Sequence, residues 1–343
     1  MGIVRLALAL IVVAAHAQSY LPGLGFMNAF QAVNVFFIVS GFYMALILNE
    51  RYVRPGDTRR FYVNRAVRLF PVYWFGLVLA LCAQMATTGQ ALKPQIDALT
   101  PLGWIFAIVS NLLIVGQELP YTFCLPVTEA APCLDPVAAS LNPPAWSIAV
   151  EIAFYALAPF LVRDPRRIAG MILVGVAYFW AVRWVPASSL PDGVFAPRAD
   201  AVWVRYYTLP SSFVFFGIGA FAYHMGRSSP IQGENYGLCV LVAVAVLTID
   251  PIMPGWSILL TAIAVPALFH LTKHVSFDRK IGDLSYPVYI LHFPVLVVAR
   301  HHFAGSPDAI FYATIVGTLI ASVLIKLAIE DNVERLRALI RPA

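Results

Sequence analysis

Apolar positions in this chain come in long unbroken runs rather than in the alternation of a half-buried strand or the three-four spacing of a one-sided helix. Runs of spanning length fall near 3–21, 29–49, 69–88, 145–162, 168–186, 206–225, 236–251, 255–272, 284–302 and 309–329. A run of about 18 or more apolar residues with few charges predicts a membrane-crossing helix. One further run, 102–116, is short and carries Ser110 and Asn111. Segments of that length are commonly re-entrant or interfacial. The expected fold is therefore an all-α integral membrane protein. It is a bundle of ten transmembrane helices plus a short re-entrant or interfacial helix, in one domain over residues 1–343.

Composition agrees. The chain is 60% hydrophobic and 12% charged, with mean hydropathy +0.77, against about 25% charged residues in a soluble domain. The net charge of +5 does not point to a nucleic-acid partner, because clustered arginine in short loops of a membrane protein first sets orientation. Residues 50–68 carry Arg51, Arg54, Arg59, Arg60, Arg65 and Arg68, which places that loop in the cytoplasm. With ten spans, Arg163/Arg166/Arg167, Lys273/Arg279/Lys280 and Arg335/Arg337/Arg341 fall on the same side, and both termini are cytoplasmic. The first run reads as a retained span, since it lacks a small-residue cleavage site followed by a soluble chain. Residues 117–144 become an outer loop in which Cys124 and Cys133 are a plausible disulfide pair, and 187–205 becomes a second one.

Several runs carry groups that are costly in lipid and so point to function. Arg5 and His16 in the first run are eleven residues apart, about three turns. They face the same way with a gap of about 16 Å, which puts His16 near or past the middle of the bilayer. The second run holds Asn34, Ser40 and Gly41. Asn34 lies at a depth comparable to His16, where a hydrogen bond would fix the histidine tautomer, and Ser40–Gly41 suits close helix approach. Arg65 and Arg68 become neighbours if their stretch is helical, meeting the bilayer just before Tyr73 and Trp74. Paired guanidiniums grip phosphates bidentately. In 142–161, Trp146 suits the interfacial belt, and Ser147 and Glu151 share one helix face. His292 falls near the midplane, just over a turn beyond Tyr289. Glu330 and Asp331 close the last run and are expected to pair with the arginine-rich surface. No P-loop is present and no metal site is expected, because only His270/His274 have ligand spacing. Two midplane histidines, a midplane acid and arginines at one mouth suit a tunnel. It could serve a group transferase or a proton-coupled transporter or exporter of a glycolipid or acylated glycan.

Five blocks in order make the chain resemble the membrane acyltransferase-3 family of bacterial O-acyltransferases. They are Arg5 with ten residues before His16, VNVFFIVSGF (33–42), RFYVNRAVRLFPVYW (60–74), WSIAVEIAFYALAP (146–159) and LSYPVYILHFPV (284–295). The closing IED at 329–331 is similar to the family's acidic C-terminal position. The resemblance implies a multi-pass protein of the bacterial cytoplasmic (inner) membrane. It implies transfer of an acyl group, acetyl by expectation, from cytoplasmic acyl-CoA as co-substrate to a sugar hydroxyl of a surface polysaccharide or lipid-linked glycan. On it, His16 is the catalytic histidine with Arg5 its helix partner, Arg65 and Arg68 match an R-x-x-R suited to the CoA phosphates, and Trp146, Ser147 and Glu151 match a W-S-x-x-x-E. Taken with the residues read directly, the expected catalytic set is His16 as general base, Glu151, Arg5 and His292; Arg65, Arg68 and Tyr73 bind the donor, and Asn34, Ser40, Trp146, Ser147 and Tyr289 support the site. Position 34, commonly acidic in the family, is Asn here, so Glu151 is expected to help stabilise the imidazolium.

Overall fold

The structure, a computed structural model, describes residues 1–19, 27–90, 97, 99–125, 139–184, 206–227, 233–249 and 255–342. Lys93, Cys133 and the expected outer loop at 187–205 lie outside the described residues. The elements are α1 (Gly2–His16), α2 (Ala29–Glu50), α3 (Asp57–Thr88), α4 (Pro101–Leu113), α5 (Trp146–Leu161), α6 (Pro165–Trp184), α7 (Leu209–Arg227), α8 (Gly233–Leu247), α9 (Gly255–Thr272), α10 (Ser276–Asp283), α11 (Ser285–His302), α12 (Pro307–Ile325) and α13 (Asp331–Ile340). A π-helical turn, Lys326–Glu330, joins the last two. No strand occurs among the described residues.

Seven helical stretches among the described residues are long and apolar enough to cross a membrane: 29–50, 57–88, 143–161, 165–182, 255–272, 276–302 and 307–340. Three of the ten expected spans fall outside this set. Of these, α1 and α8 have 15 residues each, about 22 Å of rise against a hydrocarbon thickness of about 30 Å; the third is α7. The expected loop at 50–68 also changes character. Helix α3 starts at Asp57 and runs 32 residues, so Arg59, Arg60, Arg65 and Arg68 stand on a helix. The basic stretch hid a helical stripe in which Phe61, Arg65, Leu69 and Val72 are all buried. Asp57 secures the start by accepting from the Arg54 amide at 2.9 Å.

The short run at 102–116 is the 13-residue α4. Its last carbonyls lack intrahelical donors and take side chains instead. Tyr73 OH donates to Asn111 O at 2.7 Å, Trp74 Nε1 to Leu112 O at 2.9 Å, and Gln117 Nε2 to Ser110 O at 3.0 Å. The Asn111 amide group donates to Ala107 O and Ala139 O, while its Oδ1 accepts from Leu141 N. The two polar residues that made this run ambiguous are thus part of its anchorage. Just beyond, Cys124 is disulfide-bonded, whereas Cys82 and Cys239 are free.

Close crossings hold the centre. A Cβ on Gly41 of α2 would lie 2.0 Å from Phe216 O of α7, and one on Gly219 would lie 1.8 Å from Ile38 O. The two backbones therefore touch, as small residues permit between membrane helices. Ser40 is thereby turned to the other face of α2, toward α5.

Candidate active site

A cavity of about 800 Å³ opens at the arginine-bearing end of the bundle, within the usual size of a ligand site, about 300–1,000 Å³. Its wall includes Arg5 of α1, Ser40 and Tyr43 of α2, Arg65 and Arg68 of α3, Ser147, Glu151 and Tyr155 of α5, and Tyr286 and Tyr289 of α11. Arg5, Arg65 and Arg68 form no ion pair with a carboxylate among the described residues. The Arg65 guanidinium stands 5.8 Å from the ring centroids of both Phe61 and Tyr155, and its Nε is buried without a partner. Guanidiniums without a carboxylate partner, one of them set against aromatic rings, are suited to a polyanionic ligand. Glu151 is their counterweight. Its Oε1 accepts from Ser40 Oγ and from Tyr155 OH, each at 2.5 Å, so hydroxyls rather than a histidine satisfy this acid.

At the far end of the cavity the Ser147 and Tyr289 hydroxyls lie 2.7 Å apart, and Phe36 packs edge-on to Tyr289. Neither His16 nor His292 lines the cavity. They lie beyond Tyr289 and are joined to it through its backbone. His292 is fully buried, with Nδ1 2.7 Å from Tyr289 O and Nε2 2.8 Å from His16 Nδ1. The two rings lie edge to edge and nearly coplanar, with centroids 5.0 Å apart and planes 12° from parallel.

These contacts fix both tautomers. A carbonyl oxygen only accepts, so the His292 proton is on Nδ1. With the ring neutral, Nε2 is then an acceptor. His16 must donate from Nδ1, and its Nε2 is left as an unprotonated lone pair. Arg300 Nη2 donates to His16 O at 2.8 Å, tying down the carbonyl end of α1 next to the ring.

The axial position of α1 is set from both ends by one neighbour. At its start, Asp278 of α10 accepts from Gly2 N at 2.7 Å and Ile3 N at 2.9 Å, acting as the N-cap that α1 itself lacks. At its end, His292 of α11 holds His16. Both contacts join residues 276 positions apart, so α1 and the α10–α11 stretch run parallel in constant register over about 21 Å of rise. A Cβ on Gly282 would sit 2.5 Å from Gly2 Cα, which shows how closely the two backbones pass.

Other expected residues take different places. Asn34 is buried but, among the described residues, has no hydrogen bond to His16; His292 occupies that position. Tyr73 is fully buried against α4 and away from the cavity. Trp146 is buried among Phe37, Tyr121, Tyr206 and Tyr207 rather than exposed in a belt. Glu330 and Asp331 line the cavity but form no ion pair among the described residues; Lys326 pairs with Asp283 at 3.7 Å, and Glu334 with Arg337 and Arg341 at 2.5 Å each. Sequence reasoning missed Asp278, Arg300, Tyr155, Arg337 and Arg341. Tyr155 was within reach, one turn from Glu151, and Glu334, Arg337 and Arg341 share a helix face. Asp278 and Arg300 carry no local signal.

Comparison with known proteins bears on the chemistry. The Acyl_transf_3 family, described as an acyltransferase domain, matches residues 1–327. The exopolysaccharide production protein ExoZ of Rhizobium meliloti is 28% identical over 84% of this chain and 84% of its own length. The acyltransferase MdmB of Streptomyces mycarofaciens is 21% identical over 91% of this chain and 82% of its own. The peptidoglycan O-acetyltransferase OatA of Listeria monocytogenes is 26% identical over 85% of this chain, which spans 48% of that protein. No solved structure matches.

Proposed function

From the premise that this chain belongs to the Acyl_transf_3 acyltransferase family, and is thus a multi-pass membrane enzyme, we propose that it moves an acyl group, acetyl foremost, from acyl-CoA to a glycan hydroxyl. The relatives ExoZ and OatA, named for exopolysaccharide production and peptidoglycan O-acetylation, support a surface polysaccharide or lipid-linked glycan as acceptor. The bundle crosses a bacterial inner membrane ten times with α4 not crossing. Both termini and the mouth of the cavity then face the cytoplasm, on the side of the basic clusters.

The observation that carries this reading is the bare Nε2 of His16, left by the chain Tyr289 O, His292, His16. The donor enters from the cytoplasm with its phosphates on Arg65 and Arg68 and its thioester directed past Glu151 toward Ser147 and Tyr289. His16 Nε2 takes the proton of the acceptor hydroxyl as its oxygen attacks the thioester carbonyl. The tetrahedral intermediate collapses with cleavage of the C–S bond, and the proton passes from His16 to the departing thiolate. A neutral imidazole is well matched to this role near neutral pH, and surrounding apolar helices limit competing hydrolysis.

The test is incorporation of labelled acetyl into cell-surface glycan by membranes supplied with acetyl-CoA. His16→Ala is expected to lower the rate about 10²–10⁴-fold, the usual contribution of a general base, without weakening CoA binding. Full incorporation by His16→Ala would remove the mechanism. Movement of glycan across the membrane without CoA release would remove the enzyme reading and favour a transporter.

A further inference from the structure

Helix α13 lies beyond the residues that the family match covers, yet it forms part of the cavity wall. Glu330, Val333, Glu334, Arg337 and Arg341 all line the cavity and recur at the three-four spacing of one helical face. The π-helical turn at Lys326–Glu330 inserts ahead of this face, and such turns often re-aim a helix at functional sites. The face is also held firmly. Glu334 accepts from Arg337 Nη1 and Arg341 Nη2, each at 2.5 Å. Arg337 is further locked to α3: its Nε donates to Asn64 Oδ1, and Asn64 Nδ2 donates back to Arg337 O, both at 3.2 Å. Asn64 is fully buried and directly precedes Arg65, so the same turn of α3 carries one arginine of the inner pair and the anchor of the outer one.

The donor inventory of this outer pair is not used up. Arg337 keeps Nη2, and Arg341 keeps Nε and Nη1, without a hydrogen-bond partner among the described residues. One carboxylate, Glu334, serves both guanidiniums, and over the whole cavity wall nine arginines and lysines stand against seven aspartates and glutamates, which leaves the lining net positive. Two arginine pairs thus share one cavity: Arg65, which is buried, with Arg68, and Arg337 with Arg341, whose side chain is about a third exposed. A thioester bound with its acyl end toward Tyr289 extends outward from there. CoA carries phosphate at two separated places, a pyrophosphate midway along and a 3′-phosphate on the ribose at the far end.

We infer that Arg337 and Arg341 form a second phosphate position at the mouth of the cavity, reading the ribose 3′-phosphate of the CoA donor while Arg65 and Arg68 hold the pyrophosphate. This rests on the acyl-CoA reading above and adds a discrimination that reading does not require. An anionic lipid headgroup offers the same chemistry, since α13 also exposes Leu336 and Leu339.

The experiment is equilibrium binding of CoA and of 3′-dephospho-CoA to the full chain in nanodiscs of phosphatidylcholine alone. The wild type is expected to bind CoA about tenfold more tightly, as one charge-assisted fork supplies. Arg337→Gln/Arg341→Gln should erase that preference while leaving the affinity for 3′-dephospho-CoA where it was. Arg341→Gln alone, which breaks no bond to α3, should remove part of it. Arg335→Gln, at an exposed position off the cavity, should keep it. Equal weakening for both ligands, or no change for either, overturns the assignment. So does a preference that appears only after phosphatidylglycerol is added, which would assign the pair to lipid. A wild type that binds neither ligand overturns the acyl-CoA reading itself, and with it this one, and is told apart because binding is absent rather than unselective.

Discussion

The two ends of the site are built by opposite rules. At the arginine end the charged groups are many and come from several helices: Arg5 from α1, Arg65 and Arg68 from α3, Arg337 from α13 and Arg341 from its C-cap. No single contact there sets the geometry, and a long anion can settle among several donors. At the histidine end every contact is single. Tyr289 O holds one nitrogen of His292, the other nitrogen of His292 holds His16, and one nitrogen of His16 is left. Binding a flexible polyanion tolerates redundancy, because attraction between charges falls off gradually with distance. Proton transfer does not, since a misplacement of about 1 Å can cost about 10²-fold. The first end should therefore degrade by degrees under mutation and the second should fail abruptly.

His292→Ala tests the abrupt end and, after His16→Ala itself, has the largest effect expected. It removes the acceptor that fixes the His16 tautomer, so Nε2 is no longer reliably bare. The turnover rate should fall about 10²-fold with the Kd for CoA unchanged. His292→Gln, whose amide oxygen can still accept from His16 Nδ1, should recover part of the loss. Arg65→Gln is the counterpart at the other end. It should weaken CoA binding about tenfold, in line with one charged hydrogen bond, and leave turnover at saturating donor within a few-fold. If the two variants instead lose the same parameter by the same factor, the two ends are not separate devices.

A smaller loss is expected from Asp278, which lines the cavity at the arginine end and sets the register of the helix that reaches to the other end. Asp278→Ala leaves the first amides of α1 without acceptors, a cap loss of about 1 kcal/mol, visible as a lower melting temperature. If α1 is then free to shift against α11, turnover drops about tenfold. Combining Asp278→Ala with His292→Ala should add little to the His292→Ala loss, because both act through the position of His16. Fully additive losses would reduce Asp278 to a stability residue.

What could be read from the sequence follows the same division. The arginine pair was legible because it rests on spacing within one helix, and Arg65 and Arg68 needed only the stretch to be helical. Each histidine was legible alone, since an ionisable group deep in an apolar run declares itself. Their union was not. It depends on the first and penultimate long apolar runs lying parallel in fixed register, and no local pattern encodes packing between residues 276 apart. Tyr73 shows the converse error. It stands among the expected donor-binding residues, but the last carbonyls of α4, which like those of any helix lack intrahelical donors, take the Tyr73 hydroxyl. In the sequence the basic residues of α13 read as orientation alone, because charge after a span has that meaning unless its helical face is counted.

The smallest effect expected belongs to Asn34, and it decides how far this chain departs from its family at the histidine end. The resemblance makes position 34 the neighbour that would orient the catalytic imidazole, commonly an acid. Here Asn34 is buried on α2, and the only nitrogen of His16 that an orienting group could take is already engaged by His292. With that nitrogen occupied, truncating the amide removes no contact to the ring. Asn34→Ala should therefore keep turnover within about twofold of wild type, while costing the modest stability typical of a buried position, roughly 1 kcal/mol. A tenfold fall for Asn34→Ala in the wild-type background would show that the histidine end has two orienting contacts rather than one.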